Sequence, residues 1–233
     1  DVDFSIYEVP LVLVDQGVDR LIVDYLNLPS CEGDGFGRWR GMLAAIEKTE
    51  EEVEIAVVGK YMELHDAYKS IYEALTHGGI HHGVKIKLRK VRAEEAAQGD
   101  PASLLAGVDG ILVPGGFGER GFEGKVRTIR HARERGIPFF GICYGLQAAE
   151  VEFARNVLGL AQATSAEFDP CVEEPVIDMM EEQKKVRNLG GTMRLGAYPC
   201  RLREGSLARR CYGEEEISER HRHRFEFNNL YTR

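Results

Sequence analysis

The stretch Ile137-Pro-Phe-Phe-Gly-Ile-Cys143-Tyr-Gly-Leu-Gln-Ala-Ala149 decides the fold of this 233-residue chain. It begins with a short apolar run typical of a buried parallel strand, and a helical pattern follows directly after the cysteine. Gly141 and Gly145 flank Cys143 at equal spacing. A strand, a sharp glycine-flanked turn and a helix make a nucleophile elbow, which holds a reactive side chain at the end of a sheet. The stretch therefore predicts an α/β fold with a candidate catalytic cysteine.

The elbow makes two physical predictions about Cys143. A side chain at position 141 or 145 would collide in the tight corner between strand and helix, so both positions require glycine. Cys143 would also lie at a helix N-terminus, where the unpaired N–H groups favour a thiolate, and we expect its pKa to be lowered. The alternative is a buried structural cysteine, because free cysteine is among the most buried residue types.

Composition narrows the classes of protein that fit. The net charge of −8 offers no basic face for nucleic acid. No apolar run reaches the roughly 18 residues that a membrane span needs, and we expect no secretory leader. The five cysteines are irregularly spaced and form no Cys-x-x-Cys pair, which is typical of a reducing compartment. We expect a cytoplasmic protein without a nucleic-acid or membrane partner.

The order of patterns along the chain predicts two parts. Residues 1–52 carry apolar stripes, a glycine-rich connector and a short amphipathic helix, too little for a core of their own, and they look like the tail of a larger domain. From residue 53, strand and helix patterns alternate, which indicates a doubly wound, mostly parallel sheet with flanking helices. A helix is expected from Ala67, capped by Asp66 and ended by Gly78-Gly79, and a loop is expected after Val91. From Thr164, short strand-like pieces indicate a small antiparallel appendage.

A second glycine-rich segment, Gly115-Gly-Phe-Gly-Glu-Arg-Gly121, directly follows a predicted buried strand. Such a loop exposes backbone N–H groups that can receive an anion or a developing oxyanion. The alternative is a plain turn between a strand and a helix. Because parallel strands end at the same edge of a sheet, we expect Gly116 and Cys143 to converge on one site.

Histidines are the usual bases for a cysteine nucleophile. His221 and His223 would share one face of a strand over 219–228 with Phe225 and Phe227. Glu226 would point to the opposite face, which argues against a His223–Glu226 pair. The His221-x-His223 spacing lacks a nearby third ligand, so no metal site is predicted. The other histidines are expected at the surface: His65, His77, His81, His82 and His131.

Taken together, these motifs resemble the glutamine amidotransferase part of the CTP synthase family, whose members carry a class I, flavodoxin-like amidotransferase domain. The elbow is similar to class I amidotransferases in general, whereas other segments are similar to the CTP synthase family in particular. The resemblance covers essentially the whole chain. The specific segments are 5–10, 58–68, 114–124, 190–196 and 219–226.

The resemblance implies a reaction and a set of site residues. Cys143 would attack the side-chain amide of glutamine, giving a glutamyl thioester and ammonia, while the backbone N–H groups of Gly116 and Tyr144 form an oxyanion hole. Arg224 would pair with the α-carboxylate of glutamine and Glu167 with its α-ammonium group. The remaining glutamine contacts would be Gly145, Leu146 and Gln147, and the activator GTP would act at Arg120, Gly121 and Glu123.

The resemblance also implies what surrounds this reaction. Residues 1–52 would be the tail of a synthase domain plus linker, and residues 53–233 the amidotransferase domain. The missing synthase domain would use ATP, Mg²⁺ and UTP to make CTP from the ammonia, so this chain itself is expected to hold no cofactor. The full enzyme would be a homotetramer, assembled mainly through the missing domain.

Two departures qualify the expected activity. The family carries its catalytic His and Glu in a His-Pro-Glu stretch beyond the Arg-Phe-Glu-Phe strand, and that triplet does not occur in this sequence. We therefore expect a chain truncated before those residues and, alone, weakly active or inactive. Tyr144 replaces the family's leucine, and its bulk is expected to narrow the pocket. Two alternatives stay open, a non-catalytic module that binds glutamine or GTP and a related elbow-cysteine hydrolase.

Overall fold

A computed structural model describes residues 5–29, 35–64, 66–184 and 194–232. By its internal contacts the chain divides into two compact units, Asp1–Ile55 with Tyr68–Leu88, and Ala56–Ala67 with Arg89–Arg233. The predicted domain boundary after residue 52 stays a prediction. None of the described helices is long and apolar enough to cross a membrane, and the cytoplasmic location also stays a prediction.

The first unit is mainly helical. Its first elements are a 3-10 turn (Ile6–Glu8), α1 (Val9–Asp15), α2 (Val18–Tyr25) and α3 (Gly37–Lys48). Tyr7 connects them to α4 (Lys69–His82), because its hydroxyl donates to Glu73 at 2.8 Å while its carbonyl accepts from the indole of Trp39 at 2.7 Å.

Both predicted ends of α4 are wrong. The helix begins at Lys69 after Tyr68, not at Ala67 after an Asp66 cap, and it does not end at Gly78-Gly79. The helix continues to His82 and stops at Gly83, whose φ of +68° is the left-handed conformation of a helix C-cap. Gly79 is required for a different reason, because a Cβ at this position would lie only 2.6 Å from the Val84 carbonyl oxygen. The glycine permits the close return of the chain into the next strand.

The central sheet has four strands in the order β2-β1-β3-β4, with the bounds β1 Glu52–Gly59, β2 Lys85–Arg92, β3 Gly110–Val113 and β4 Phe139–Gly141. β3 and β4 are parallel, with Ile111 opposite Phe139 and Val113 opposite Gly141. The predicted α/β class with a mostly parallel sheet and flanking helices is confirmed. The carboxyl ends of β3 and β4 thus lie side by side, where the glycine loop and the elbow begin.

Among its described residues, the second unit has four helices before residue 164. α7 (Phe122–Arg135) and α8 (Tyr144–Asn156) follow the predicted patterns. The loop predicted after Val91 is wrong, because α5 (Ala93–Gln98) and α6 (Pro101–Leu104) form there, and the Asp100 carboxylate caps α6 by accepting the N–H groups of residues 102 and 103. α5 and α7 approach so closely that a Cβ at Gly124 would lie 1.7 Å from the Ala93 carbonyl oxygen.

The segments after residue 164 form two further sheets. β7 (Arg194–Arg201) and β8 (Glu216–His223) make an antiparallel hairpin, while β6 (Pro175–Met179) pairs in parallel with β5 (Thr164–Ser165) and antiparallel with β9 (Phe225–Phe227). The small antiparallel appendage is therefore present as the β7–β8 hairpin. The remaining elements are α9 (Glu181–Lys184), α10 (Leu207–Tyr212) and a 3-10 turn at Asn229–Tyr231.

The single strand expected over 219–228 is wrong. The strand breaks at Arg224, so that His221 and His223 belong to the hairpin and Phe225 and Phe227 to the sheet of β6. The four side chains therefore do not share one continuous face. The predicted motif over 190–196 lies partly outside the described residues.

Candidate active site

The elbow has the geometry that its glycines predicted. Cys143 adopts φ +53° and ψ −107° and caps α8, a conformation that non-glycine residues rarely hold unless the surroundings enforce it. A Cβ at Gly141 would lie 2.7 Å from the carbonyl group of Gly145, and a Cβ at Gly145 would lie 2.0 Å from the carbonyl oxygen of Val113. The steric requirement for glycine at both positions is confirmed.

The sulfur of Cys143 is half-buried at this edge of the sheet. The backbone N–H groups of Tyr144 and Gly116 donate hydrogen bonds to it, and the charge of Lys125 also favours the thiolate. Burial outweighs these contributions and, with the negative charge of Glu167, raises the pKa of the Cys143 thiol. The predicted lowering of this pKa is therefore wrong, although two N–H groups and one ammonium group do act in favour of the thiolate.

Lys125 is a neighbour of the site that the sequence analysis did not identify. Its side chain is 0% exposed, and its Nζ donates to the Pro114 carbonyl at 3.4 Å and lies 4.4 Å from the ring centre of Tyr144. Burial, followed by the charge of Lys60, lowers the pKa of Lys125 to about 8. The sequence did contain one indication that Lys125 is buried. It lies three residues after Phe122 and next to Val126, on the buried face of α7.

The Tyr144 side chain lies in the core. It is 1% exposed and packs against Phe122 and Phe168, with ring centres 5.3 Å and 6.5 Å away. Its hydroxyl donates to the carbonyl of Gly118 at 2.5 Å, and burial raises its pKa. The expected narrowing of the pocket is wrong for this placement, because a ring without exposed surface does not line an open pocket. Through its hydrogen bond to Gly118, the buried tyrosine instead connects the glycine loop to the core.

Besides Tyr144, two further side chains hold the glycine loop. The N–H of Gly118 donates to Glu167 Oε1 at 2.8 Å, and Lys60 Nζ donates to the Phe117 carbonyl at 3.0 Å. Gly118 has φ +70°, which glycine adopts without strain. Because Glu167 both binds this loop and acts on the Cys143 sulfur, the structure brings the glycine loop, the elbow and Glu167 together.

The other predicted glutamine contacts lie on or near α8. Leu146 is 52% exposed, and the Gln147 side-chain amide donates to the Phe225 carbonyl at 3.0 Å. Arg224 directly precedes Phe225, its carbonyl accepts from the N–H of Met180 at 3.0 Å, and its Nη1 atom is buried. Arg224 thus lies on the segment that Gln147 contacts.

The three residues predicted for GTP lie at the start of α7. Arg120 forms an ion pair with Glu94 at 2.6 Å, and Glu123 pairs with Arg155 at 2.8 Å. Gly121 has φ +78° and precedes the helix as its cap. Arg120 also borders a cleft of about 440 Å³ whose charged lining residues are Lys60, Glu63, Arg92, Glu94 and Glu95.

The two hairpin histidines contact each other. Their Nδ1 atoms are 3.3 Å apart, and the ring of Tyr198 lies 5.4 Å from that of His221. Across the part of the chain that the structure describes, no group of three or more His, Cys, Asp or Glu side chains is placed to hold a metal ion. His65 lies outside the described residues.

The chain is similar to known proteins in both sequence and structure. The sequence profile described as "Glutamine amidotransferase class-I" matches residues 63–232. The CTP synthase of Aquifex aeolicus is 54% identical over 100% of this chain and 43% of its own length, and that of Caldanaerobacter subterraneus is 52% identical over 97% and 42%. The chain thus spans less than half the length of these relatives.

A solved structure supports the same assignment. It is titled "Trypanosoma brucei CTPS - glutaminase domain with bound acivicin", is 36% identical, and superposes with a TM-score of 0.70 over 77% of this chain and 70% of its own. The region that the sequence profile matches contains the elbow and the glycine loop, which the geometry places at one sheet edge. The chain belongs to the class-I glutamine amidotransferase family.

Proposed function

We propose that this chain is the glutamine-hydrolysing part of a CTP synthase, with Cys143 as its nucleophile. The observation that carries the proposal is the strained backbone of Cys143, which holds its sulfur against the N–H groups of Gly116 and Tyr144. The same groups can stabilise the negative charge that develops when a nucleophile adds to an amide carbonyl. The similarity to CTP synthases supports glutamine as the amide.

In the proposed reaction the Cys143 thiolate adds to the side-chain amide carbon of glutamine. The carbonyl electrons move to the oxygen, whose charge the N–H groups of Gly116 and Tyr144 stabilise. Collapse of this intermediate breaks the C–N bond, and the nitrogen leaves as ammonia after it receives a proton. Water then hydrolyses the thioester to glutamate. In the family's pattern a histidine supplies the proton, and the stretch that carries it does not occur in this sequence.

Charge supports the recognition of a free amino acid. A zwitterion needs one partner of each sign, and Glu167 and Arg224 supply them. Glu167 uses one carboxylate oxygen for the Gly118 N–H, which leaves its other oxygen for the α-ammonium group. Gly145, Leu146 and Gln147 would contact the rest of the substrate from the first turn of α8.

The test is release of ammonia from L-glutamine, measured on the chain and on the longer polypeptide where its gene encodes one. Cys143→Ala is expected to abolish release, whereas Cys200→Ala, at an exposed position on β7, serves as the matched control. Undiminished release in Cys143→Ala would reject the proposal. Binding of glutamine without any glutamyl adduct on Cys143 would favour the non-catalytic module instead.

A related elbow-cysteine hydrolase is distinguished by its substrate. Under our proposal Glu167→Gln raises the KM for glutamine about tenfold or more, because an ammonium group loses its charged partner. Glu173→Gln, an exposed carboxylate on the same segment, is the control. Equal effects of the two substitutions on KM would favour the hydrolase.

The similarity to CTP synthases also supports a proposal for the whole protein. We propose that the ammonia aminates UTP, activated by ATP and Mg²⁺ in a synthase domain outside this chain, and that the assembled enzyme is a homotetramer. GTP would activate through Arg120, Gly121 and Glu123, and the cleft beside Arg120 offers Lys60 and Arg92 as further cations for phosphate groups. Arg120→Ala should remove stimulation of ammonia release by GTP, whereas Arg130→Ala, exposed on α7, should not.

A further inference from the structure

We propose that Lys125 is a positioning residue whose buried ammonium group supports the Cys143 thiolate from behind the Gly116–Tyr144 pair. A Cβ at Gly116 would lie 3.5 Å from Lys125 Nζ and 3.6 Å from the Tyr144 ring. The two residues whose N–H groups contact the sulfur therefore both border this ammonium group. The inference rests on the proposed function of Cys143.

The contacts of Lys125 within the fold do not explain its burial. An ammonium group without exposed surface loses its hydration, which is strongly unfavourable unless a negative charge or a close acceptor compensates for it. Its contacts with the Pro114 carbonyl at 3.4 Å and the Tyr144 ring at 4.4 Å are weaker than a charge-assisted hydrogen bond of about 2.8 Å. A negative charge on the Cys143 sulfur would supply the missing compensation.

The charges that face Lys125 and Cys143 come from three other parts of the chain. Lys60, after β1, repels the ammonium group, whereas Glu94 on α5 and Cys143 attract it. Glu167, after β5, opposes the thiolate. The charge of Lys125 therefore counteracts part of the effect that burial and the Glu167 carboxylate have on the sulfur. Formation of the thiolate in turn holds the proton on Lys125 more firmly.

The experiment measures alkylation of Cys143 by iodoacetamide across a pH series, with each cysteine followed by peptide mass spectrometry. Lys125→Met keeps the length of the stem and removes the charge. We expect its Cys143 to react about tenfold more slowly at neutral pH, with the midpoint of the pH profile moved upward. Cys171 is the internal reference, and Lys87→Met, at an exposed lysine, is the matched control.

Each outcome decides for or against the proposal. A folded Lys125→Met or Lys125→Gln protein with an unchanged Cys143 profile would show that the lysine only fills space. If neither variant folds, the unsubstituted protein decides: coupling of two titrating groups spreads the rise of Cys143 reactivity over a wider pH range than one group gives, and a single-group curve would contradict the proposal. Because alkylation needs no glutamine, failure here is distinct from failure of the proposed glutaminase activity.

Discussion

The elbow and the β7–β8 hairpin both present reactive side chains, but their backbones are fixed by different means. At the elbow, a Cβ at Gly145 would lie 2.0 Å from a carbonyl oxygen, whereas nothing lies within 4 Å of a Cβ built at Gly213, beside the hairpin. Cys143 is half-buried with φ +53°, while Cys200 of the hairpin is exposed. Reactive residue types occur in both regions. Of the two, it is the elbow whose backbone conformation is fixed by the atoms packed around it.

The difference shows which feature of a sequence indicates a site. A strained conformation such as that of Cys143 costs about 1–3 kcal/mol and persists only where the surroundings enforce it. The hairpin histidines, 3.3 Å apart at Nδ1, are brought together simply by alternation along one strand. Proximity of reactive groups is therefore a weaker indicator than a backbone that other atoms constrain.

The largest expected effect comes from the glycine comparison. Gly145→Ala should lower the free energy of unfolding by at least about 3 kcal/mol, since the methyl group overlaps a backbone carbonyl that cannot move aside. Gly213→Ala should lower the free energy of unfolding by only about 1 kcal/mol. Its φ of +74° is unfavourable for alanine, but no other atom lies within 4 Å of the added methyl group. Urea unfolding measures both. Equal losses in the two variants would show that the elbow is not sterically constrained.

A smaller effect is expected from ion pairs in the same two regions. On α7 and α8, Arg133 binds Glu152 at 2.8 Å, and the Glu152 side chain is 2% exposed. Arg133→Met should destabilise the protein by about 2–3 kcal/mol, because it leaves a buried carboxylate without its cation. In the hairpin region Arg201 pairs with Glu215 at 3.0 Å with its side chain 80% exposed. Arg201→Met should change the unfolding free energy by less than about 0.5 kcal/mol, and a larger loss there would contradict this reasoning.

The smallest effect concerns the titration of Cys143 itself. Burial raises its pKa, so the midpoint of its pH profile for alkylation should be higher in the folded chain than in the same chain unfolded in urea. The comparison uses one peptide in two states, which removes differences in local sequence. A folded-state midpoint at or below the unfolded one would show that the surrounding cations outweigh burial.

Much of the site could be predicted because glycines at fixed positions determine its backbone geometry. The spacing of Gly141, Cys143 and Gly145 encodes a turn that no other residues fit, and the loop before Gly121 follows a buried strand. The edge at which β3 and β4 end side by side follows from parallel pairing alone. These predictions needed only local sterics and sheet topology.

Other features depend on tertiary contacts that no local pattern reveals. Two adjacent glycines indicated a helix end, yet Gly79 is required by the return of the chain past Val84. In the sequence, Lys125 looks like one more cation of a charged helix. The structure shows that it is buried, with its Nζ beside the Pro114 carbonyl. The pKa of Cys143 has the same origin, because its direction is set by burial and by charges from separate elements rather than by the helix terminus alone.

The central claim is that Cys143 is a nucleophile that faces a site for glutamine. The most direct measurement is labelling with a chloromethyl ketone analogue of L-glutamine, because chloride leaves without needing a proton donor. We predict that peptide mass spectrometry finds the label on Cys143, with labelling slowed by L-glutamine but not by D-glutamine. Label distributed over the exposed Cys171, Cys200 and Cys211, with no protection by L-glutamine, would contradict the account.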